Sequence, residues 1–562
     1  MLDLFIETLF NWITILFYFV YYYSFGLLFI ELIPTSKNIQ WFSKYDKVPS
    51  VIIYGIFANI TFLQLWNIFS PVSKYCSFLL IVIALYKFIK NVVLQFQFSL
   101  DPILFNKYVL VIFFIFTFWI ANLSNSNLGP SDTGLYHLQH IKWLQSYPLM
   151  KGLANLLFHL GYNSSLFLLV ANFKNLLFSN YFLWNHSGFL LCLAFYYFFL
   201  IPFKQIINKN KKINSTELIM KLLFNIPLVH YCFYYHPSTS TDLLPFIFGI
   251  ILAIEIFKNL FSQANNLLFI ICIIFIGISS KLSFIVFGFT SLLVVLYVNR
   301  RLLFKEYFSS VPVYATIIIL SFAVWIYRNT MLSGYPLFPY HKLSIPVEWK
   351  VEKKEVQANA NLIKDTASGI KGNVSKQERK SIRKTWILSR LFVQHRRVET
   401  LYPLIIGLAG FIYFLIGSNK KKIIFLYLIP ALSQMFIWFF YTPDSRFGCF
   451  AFWWFGGLFS IPLSEYYRKK LSLYFPLFIL IFAFSLHKVD AIGQVKPLLR
   501  TQPIKVVPQT ELKKFKTRSG LEIWVPDSGY FCFDSPIPCS PDPDSSLRLI
   551  TKGNIWNGLT KE

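Results

Sequence analysis

Runs of about twenty consecutive apolar residues recur along this chain, and they constrain its fold more than any other feature. Segments 9–29, 51–70, 189–203, 243–257 and 423–441 approach or reach the length needed to cross a hydrocarbon core roughly 30 Å thick. A backbone in lipid must satisfy its own hydrogen bonds, so such segments are expected to be helices. Composition agrees: of 562 residues, 55% are hydrophobic and 14% charged, against about 25% charged in an ordinary soluble domain. The expectation is an all-α polytopic membrane protein. The aromatic content, with 63 Phe, suits lipid-facing surfaces and carries no functional message of its own.

A formal net charge of +27 would suggest nucleic acid as a partner in a soluble protein. Here the Lys and Arg gather between apolar runs, in 37–47, 87–107, 208–214, 299–305, 420–422 and 468–470, and positive-inside orientation accounts for them without nucleic acid. Placing all six segments in the cytoplasm gives about fourteen spans. These are 9–31, 51–70, 72–89, 108–122, 185–203, 218–235, 241–257, 267–279, 282–298, 311–327, 401–416, 423–441, 448–465 and 472–487. The first run reads as a span, since it lacks a basic leader and a small-residue cleavage site.

Both termini then lie outside, together with 123–184, 236–242, 328–400 and 488–562. The 328–400 loop is basic but, at about 70 residues, too long for the orientation rule to count its charges. Segment 164–178 is apolar with no cytoplasmic signal after it and reads as an interfacial or re-entrant helix. Three regions follow: additional helices in 1–107, a transmembrane core in 108–487 with outer loops 123–184 and 328–400, and a polar, Pro-rich extracytoplasmic tail in 488–562.

Isolated polar residues on the outer side are the candidates for chemistry. Asp132 is the sole acid between Asp101 and Glu217, in SDTGLYHLQHIKW (131–143). On a helix starting at Thr133, Asp132, Tyr136, His140 and Trp143 fall along one face, with His137 beside them. Asp132 also suits a helix N-cap, and both roles can coexist. Asp242, the sole acid between Glu217 and Glu255, opens a span in HPSTSTD (236–242), where the helix dipole favours an acid. Lys281 sits between two apolar runs, where it can snorkel or face the same outer side. Arg328 leaves a span at RNTMLSGYPLFP (328–339), which also carries Tyr335. Arg446 lies in TPDSRFG (442–448); both guanidiniums suit phosphate oxygens, although Asp444 offers Arg446 a structural partner.

Of seven Cys, Cys76, Cys192, Cys232, Cys272 and Cys449 sit in or beside apolar runs and read as packing residues. Cys532 and Cys539 close a short Pro-bearing loop on the expected oxidising side, which points to a disulfide rather than a metal site. The chain has no P-loop, HExxH or GxGxxG after a strand.

A long multi-span chain with an isolated Asp in its first large outer loop resembles the GT-C superfamily of integral membrane glycosyltransferases. DTGLYHLQ, YPLMKGLANL (147–156), NSSLF (163–167), the RN and SGYP elements (328–329, 333–336) and CFDSPIPC are similar to a bacterial branch of such proteins, over most of the chain. The resemblance implies a GT-C-like bundle in a bacterial inner membrane, and sugar transfer from a polyprenyl-phosphate-linked donor to an acceptor glycan or lipid on the outer face. It maps the family acid onto Asp132 as general base, with Lys281, Arg328 and Arg446 for the leaving phosphate and Tyr136, Trp143 and Tyr335 as sugar platforms. Many members carry two adjacent acids that sometimes hold a divalent metal; one acid stands here, so a Mg or Mn cofactor stays open.

Two other classes compete. An oligosaccharide polymerase or ligase would use outer-loop arginines, and Arg379, Arg383, Arg390, Arg396 and Arg397 supply them. A transporter would carry polar residues near the bilayer midplane, often with inverted repeats, whereas these charges cluster at span ends.

Overall fold

The computed structural model describes residues 2–33, 46–94, 106–125, 132–174, 179–208, 214–262, 267–305, 311–370, 374–391, 396–417, 421–467, 474–490, 498–500 and 507–562. Much of the six basic segments falls outside them.

The N-terminal third forms α1 (Leu2–Leu32), α2 (Lys47–Phe69), α3 (Lys74–Phe88), α4 (Lys107–Leu123), α5 (Leu138–Ser146) and α6 (Ser165–Lys174). Next come α7 (Ser179–Phe195), α8 (Ile201–Ile207), α9 (Ser215–Leu223), α10 (Asn225–Tyr234), α11 (Leu243–Ser262), α12 (Leu267–Ser280) and α13 (Ile285–Lys305). The remainder is α14 (Val311–Ser333), α15 (Lys353–Ala367), α16 (Lys376–Leu391), α17 (Leu401–Gly417), α18 (Lys421–Phe440), α19 (Cys449–Gly456), α20 (Ser460–Tyr467) and α21 (Tyr474–Asp490). Among the described residues, seven helices are long and apolar enough to cross a membrane: Leu2–Leu32, Lys47–Phe69, Asn185–Ile207, Leu243–Phe261, Leu282–Arg300, Ala315–Ser333 and Lys422–Phe440. Five shorter apolar helices accompany them, at Lys107–Leu123, Ser165–Lys174, Leu267–Ser280, Leu401–Ile416 and Tyr474–His487.

Small residues and buried amides set the helix packing, as expected where lipid offers no hydrophobic drive between helices. Helices α1 and α2 cross at Gly26 and Gly55, where an added Cβ would lie 1.8 Å from the Val51 and Tyr22 carbonyl oxygens respectively. Asn59 of α2 and Asn172 of α6 both donate to the Tyr21 hydroxyl of α1, at 2.7 and 3.1 Å. A second seam joins α1, α4 and α7: Asn185 donates to Asn11, Asn11 to Asn125, and Ser124 to Asn185. The described helices of 1–107 therefore share one core with the helices after them.

Helix α6, expected to be interfacial or re-entrant, is buried from Ser165 through Phe173, and its polar Asn172 has a partner inside the bundle. The tail departs from the all-α expectation: β1 (Leu512–Lys516) pairs antiparallel with β2 (Glu522–Pro526), and β3 (Leu547–Thr551) with β4 (Asn554–Lys561). Cys532 and Cys539 are bonded, with Cα atoms 6.1 Å apart.

Two clusters of buried charged side chains lie at the two ends of α11. At its C-terminal end Lys258 reaches Asp46 and Glu255, both at 2.8 Å, while Lys221 reaches Asp46 at 3.0 Å and Glu217 at 2.9 Å. At its N-terminal end Asp242 begins the second cluster.

Candidate functional site

A cavity of about 600 Å³ opens beside the N-terminal end of α11. Segment 132–164 contributes Asp132, Tyr136, His137, His159, Tyr162 and Ser164; the 236–242 turn contributes Asp242; the α12–α13 junction contributes Lys281; the α18–α19 turn contributes Asp444 and Arg446. Ile278, Leu282, Ile285, Val286, Leu362 and Ile437 add apolar lining.

The charges form one chain. Lys281 is hydrogen-bonded to Asp242 and lies 4.5 Å from the centre of the Phe447 ring. Arg446 is gripped along one edge by Asp444, through Nε at 3.3 Å and Nη2 at 3.4 Å. Its remaining nitrogen, Nη1, faces two more carboxylates, Asp132 at 3.7 Å and Asp242 at 3.9 Å. Those separations exceed hydrogen-bond length, so the Nη1 protons remain available to a ligand. Behind Asp444, Arg396 donates to it at 2.6 Å and to Ser445 at 3.1 Å, and Ser445 donates to the buried Glu399. Glu399 also accepts from Tyr235 at 3.2 Å.

Burial would raise the carboxyls of Asp242 and Asp444, but the cations outweigh it. Lys281 and Arg446 hold Asp242 below the usual carboxylate range, and Arg446 and Arg396 hold Asp444 well below it. Both are acceptors fixed in the ionised form. Asp132 differs: among the described residues it accepts no hydrogen bond, its side chain is 38% exposed, and it makes no side-chain cap bond to the helix that follows. The cap reading is corrected for Asp132 on that ground, Ser131, the other expected cap, lying outside the described residues, and a carboxylate at the cavity wall with open lone pairs remains.

That helix does not start as an α-helix. Thr133–His137 is a π-helical turn, followed by α5. The wider turn breaks the expected 3.6-residue phase, so Asp132, Tyr136 and His137 face the cavity while His140 and Trp143 turn away. Those two border a separate void of about 10 Å³ with Asn67 and Leu332. The tail fixes the turn from outside: Phe533 N–H donates to the Gly134 carbonyl at 2.8 Å, and its ring leaves no room for a Cβ there, the nearest ring atom standing 2.6 Å away. Gln139 donates to the Phe533 and Ser535 carbonyls, and Lys174 reaches Asp534 at 2.8 Å.

Two further expected contacts are corrected. Arg328 is buried and spent on structure, donating to Asn163 at 3.2 Å and Asn67 at 2.9 Å, so it offers nothing to a phosphate in the cavity. Tyr335 is buried in a small cluster with Phe158 and Phe338, its hydroxyl donating to Val351 O at 2.9 Å. Of the arginines of the 328–400 loop, Arg396 joins the charged chain and Arg379 pairs with Asp365 at 3.3 Å. The side chains of Arg383 and Arg390 lie outside the described residues.

Among the described residues no group of three His, Cys, Asp or Glu is placed to hold a metal. Asp242 and Asp444 are already paired with Lys281, Arg446 and Arg396, which leaves Asp132 as a single open carboxylate, so the donor set does not fit a divalent cation.

Fold and site together define a predominantly helical protein, with helices able to cross a membrane, built around a cavity lined by both charged and apolar side chains. A family described as "Domain of unknown function (DUF8201)" matches residues 6–453, and the chain belongs to it. No curated protein and no solved structure matches the chain.

Proposed function

We propose that this protein is a membrane glycosyltransferase of the GT-C type, moving a sugar from a polyprenyl-phosphate-linked donor to an acceptor glycan or lipid on the extracytoplasmic face of a bacterial inner membrane. The observation that carries the reading is the shared nitrogen of Arg446, which brings an open carboxylate, Asp132, beside a cationic pair, Arg446 and Lys281, inside a largely apolar cavity.

In this reading Asp132 accepts the proton of the acceptor hydroxyl as its oxygen bonds to the anomeric carbon. The bond from that carbon to the lipid phosphate breaks, and the phosphate leaves with the electron pair. Arg446 and Lys281 stabilise the charge that develops there. Asp242 and Asp444 hold the two cations in place, and the apolar lining takes the first isoprene units. No step passes through a metal.

The orientation draws support from the two ends of α11. Residues Asp46, Glu217, Lys221 and Lys258 cluster where segments 37–47 and 208–214 join the bundle, so that end is assigned to the cytoplasm and the cavity to the opposite side. Each of the fourteen expected spans coincides with a helix or with consecutive short helices, which supports the finer count. The polymerase or ligase alternative keeps one specific support, Arg396, which enters the charged chain through Asp444.

The test is turnover by purified protein in lipid nanodiscs given a panel of radiolabelled polyprenyl-phosphate hexoses and a membrane-glycan extract. Release of polyprenyl phosphate is expected from one donor, reduced about 10²–10³-fold by Arg446→Gln. Equal turnover by wild type and variant would defeat the assignment.

A further inference from the structure

Loop 532–539 of the tail is closed by the Cys532–Cys539 bond and anchored to β2, where Trp524 N–H donates to the Pro538 carbonyl at 2.9 Å and Ser540 N–H to the Trp524 carbonyl at 3.1 Å. Its tip is a tight turn in which Ser535 N–H donates to the Cys532 carbonyl at 3.0 Å, and Phe533 sits there with φ 43°. Among the described residues Phe533 is the one non-glycine with a left-handed backbone. A residue with a Cβ keeps that conformation only where its surroundings require it, and such residues concentrate at functional sites. Here the turn aims the Phe533 N–H at the Gly134 carbonyl and sets the ring where a Gly134 Cβ would stand. The tip is then held by three side chains. Gln139 donates to the Phe533 and Ser535 carbonyls at 3.1 and 3.0 Å, Lys142 to the Asp534 and Ser535 carbonyls at 2.8 and 3.1 Å, and Lys174 meets the Asp534 carboxylate at 2.8 Å.

An α-helix turns about 100° per residue, so on one Gly134 and Gln139 would point about 140° apart. The wider π-turn at Thr133–His137 brings positions five apart round toward the same side, and both meet Phe533. The same turn carries Asp132, Tyr136 and His137 to the cavity. Asp132 accepts no hydrogen bond among the described residues, so its place 3.7 Å from Arg446 is set by the backbone on which it stands. We propose that Phe533, seated in the disulfide-closed loop, is a positioning residue that fixes the π-turn and thereby the reach of Asp132 toward the reacting centre. The proposal deepens the transferase reading and rests on it only for the consequence in turnover. Phe533 acts through Gly134 and not on the substrate, since the cavity lining includes the turn and not the tail. A displacement of about 1 Å at a reacting group is enough to cost about 10²-fold in rate, so a modest loosening of the turn is felt in the chemical step.

Hydrogen exchange of the full chain in nanodiscs, read by mass spectrometry over residues 133–146, and transfer kinetics with the polyprenyl-phosphate hexose panel test this in Phe533→Ala, Gly134→Ala and the double variant. Unfolding midpoints report whether each folds. Exchange over 133–139 is expected to rise about tenfold in Phe533→Ala. Gly134→Ala sets a methyl group against the ring and is expected to lower kcat about 10–10²-fold with the donor KM within about twofold, because Arg446 and Lys281 stand on other elements. The double variant removes the clash, so it is expected to turn over no worse than Phe533→Ala alone, far from the product of the two losses. A tail that served only folding would lower the yield of folded protein without splitting kcat from KM or coupling these two positions. If a variant fails to fold, Gln139→Met, which removes two hydrogen bonds at nearly constant volume, takes its place with a several-fold rise in exchange expected. Unchanged exchange in the folded variants, losses that multiply in the double variant, or wild-type kcat in both single variants would overturn the proposal. If the wild type transfers no sugar, exchange decides alone: a tenfold rise leaves the positioning role standing while the transferase reading falls.

Discussion

Replacing Lys281 by Met leaves Asp242 buried with its nearest cation no longer at hydrogen-bond distance. The Asp242 side chain is 5% exposed, Arg446 stands 3.9 Å away with its better edge committed to Asp444, and the hydroxyl of Ser240 at 3.1 Å becomes the main remaining donor. Breaking such a pair from one side costs about 3–5 kcal/mol. Asp242→Asn removes the other half, but Lys281 is 19% exposed and lies over the Phe447 ring, so its charge is partly accommodated and the cost falls to about 1–2 kcal/mol. Removing both charges at once leaves no unpaired ion, and the double variant is expected within about 1 kcal/mol of wild type. Thermal unfolding in nanodiscs, followed by tryptophan fluorescence, gives the order Lys281→Met least stable, then Asp242→Asn, then the double variant. A double variant as unstable as the sum of the singles would refute the pairing argument.

Other expectations follow from the same geometry. Folded His137 and His140 both stay neutral down to about pH 3, because burial lowers them, while in the unfolded chain they take up protons near pH 6.5. Between those values the unfolded chain binds more protons, so stability is complete above about pH 6.5 and falls as pH drops, by up to about 1.4 kcal/mol per unit for each ring; a double Gln variant with an unflattened pH profile would show the rings are not responsible. A cysteine placed at Ser545 should react with an impermeant maleimide in intact cells, and protection until lysis would break the orientation. Positions Ser126 and Asn373, outside the described residues, test the same two loops in the same way. Non-reducing peptide mapping should recover the Cys532 and Cys539 peptides joined, and free thiols at both positions in freshly isolated protein would speak against the bridge.

The parts of the site that were legible in the sequence are lone charges between apolar runs. Asp132, Asp242, Lys281 and Arg446 stand out because a charge at a span end is costly unless it has a partner, and the structure gathers all four. The π-turn at Thr133–His137 left no such mark: GLYH has no proline or glycine pair that would announce it, so an α-helical phase put His140 and Trp143 on the wrong side. Arg328 looked free because its partners, Asn67 and Asn163, are neutral amides far away in sequence. Nothing in the sequence singles out His159 and Tyr162, and only the fold sets them against Tyr136. Glu399 carried a weak signal, an acid just before a span with two arginines beside it. The tail strands were readable in principle from the alternation of EIWVP, but five-residue strands among prolines give little periodicity to detect.

Asp132→Asn most directly tests the account. The side chain makes no cap bond and is partly exposed, so the substitution should leave expression, insertion and unfolding midpoint close to wild type. Loss of the base should lower sugar transfer from the polyprenyl-phosphate donor by about 10²–10⁴-fold, with donor binding retained. An Asn variant that inserts normally and transfers the native sugar at near wild-type rate would contradict the assignment of Asp132 as the base.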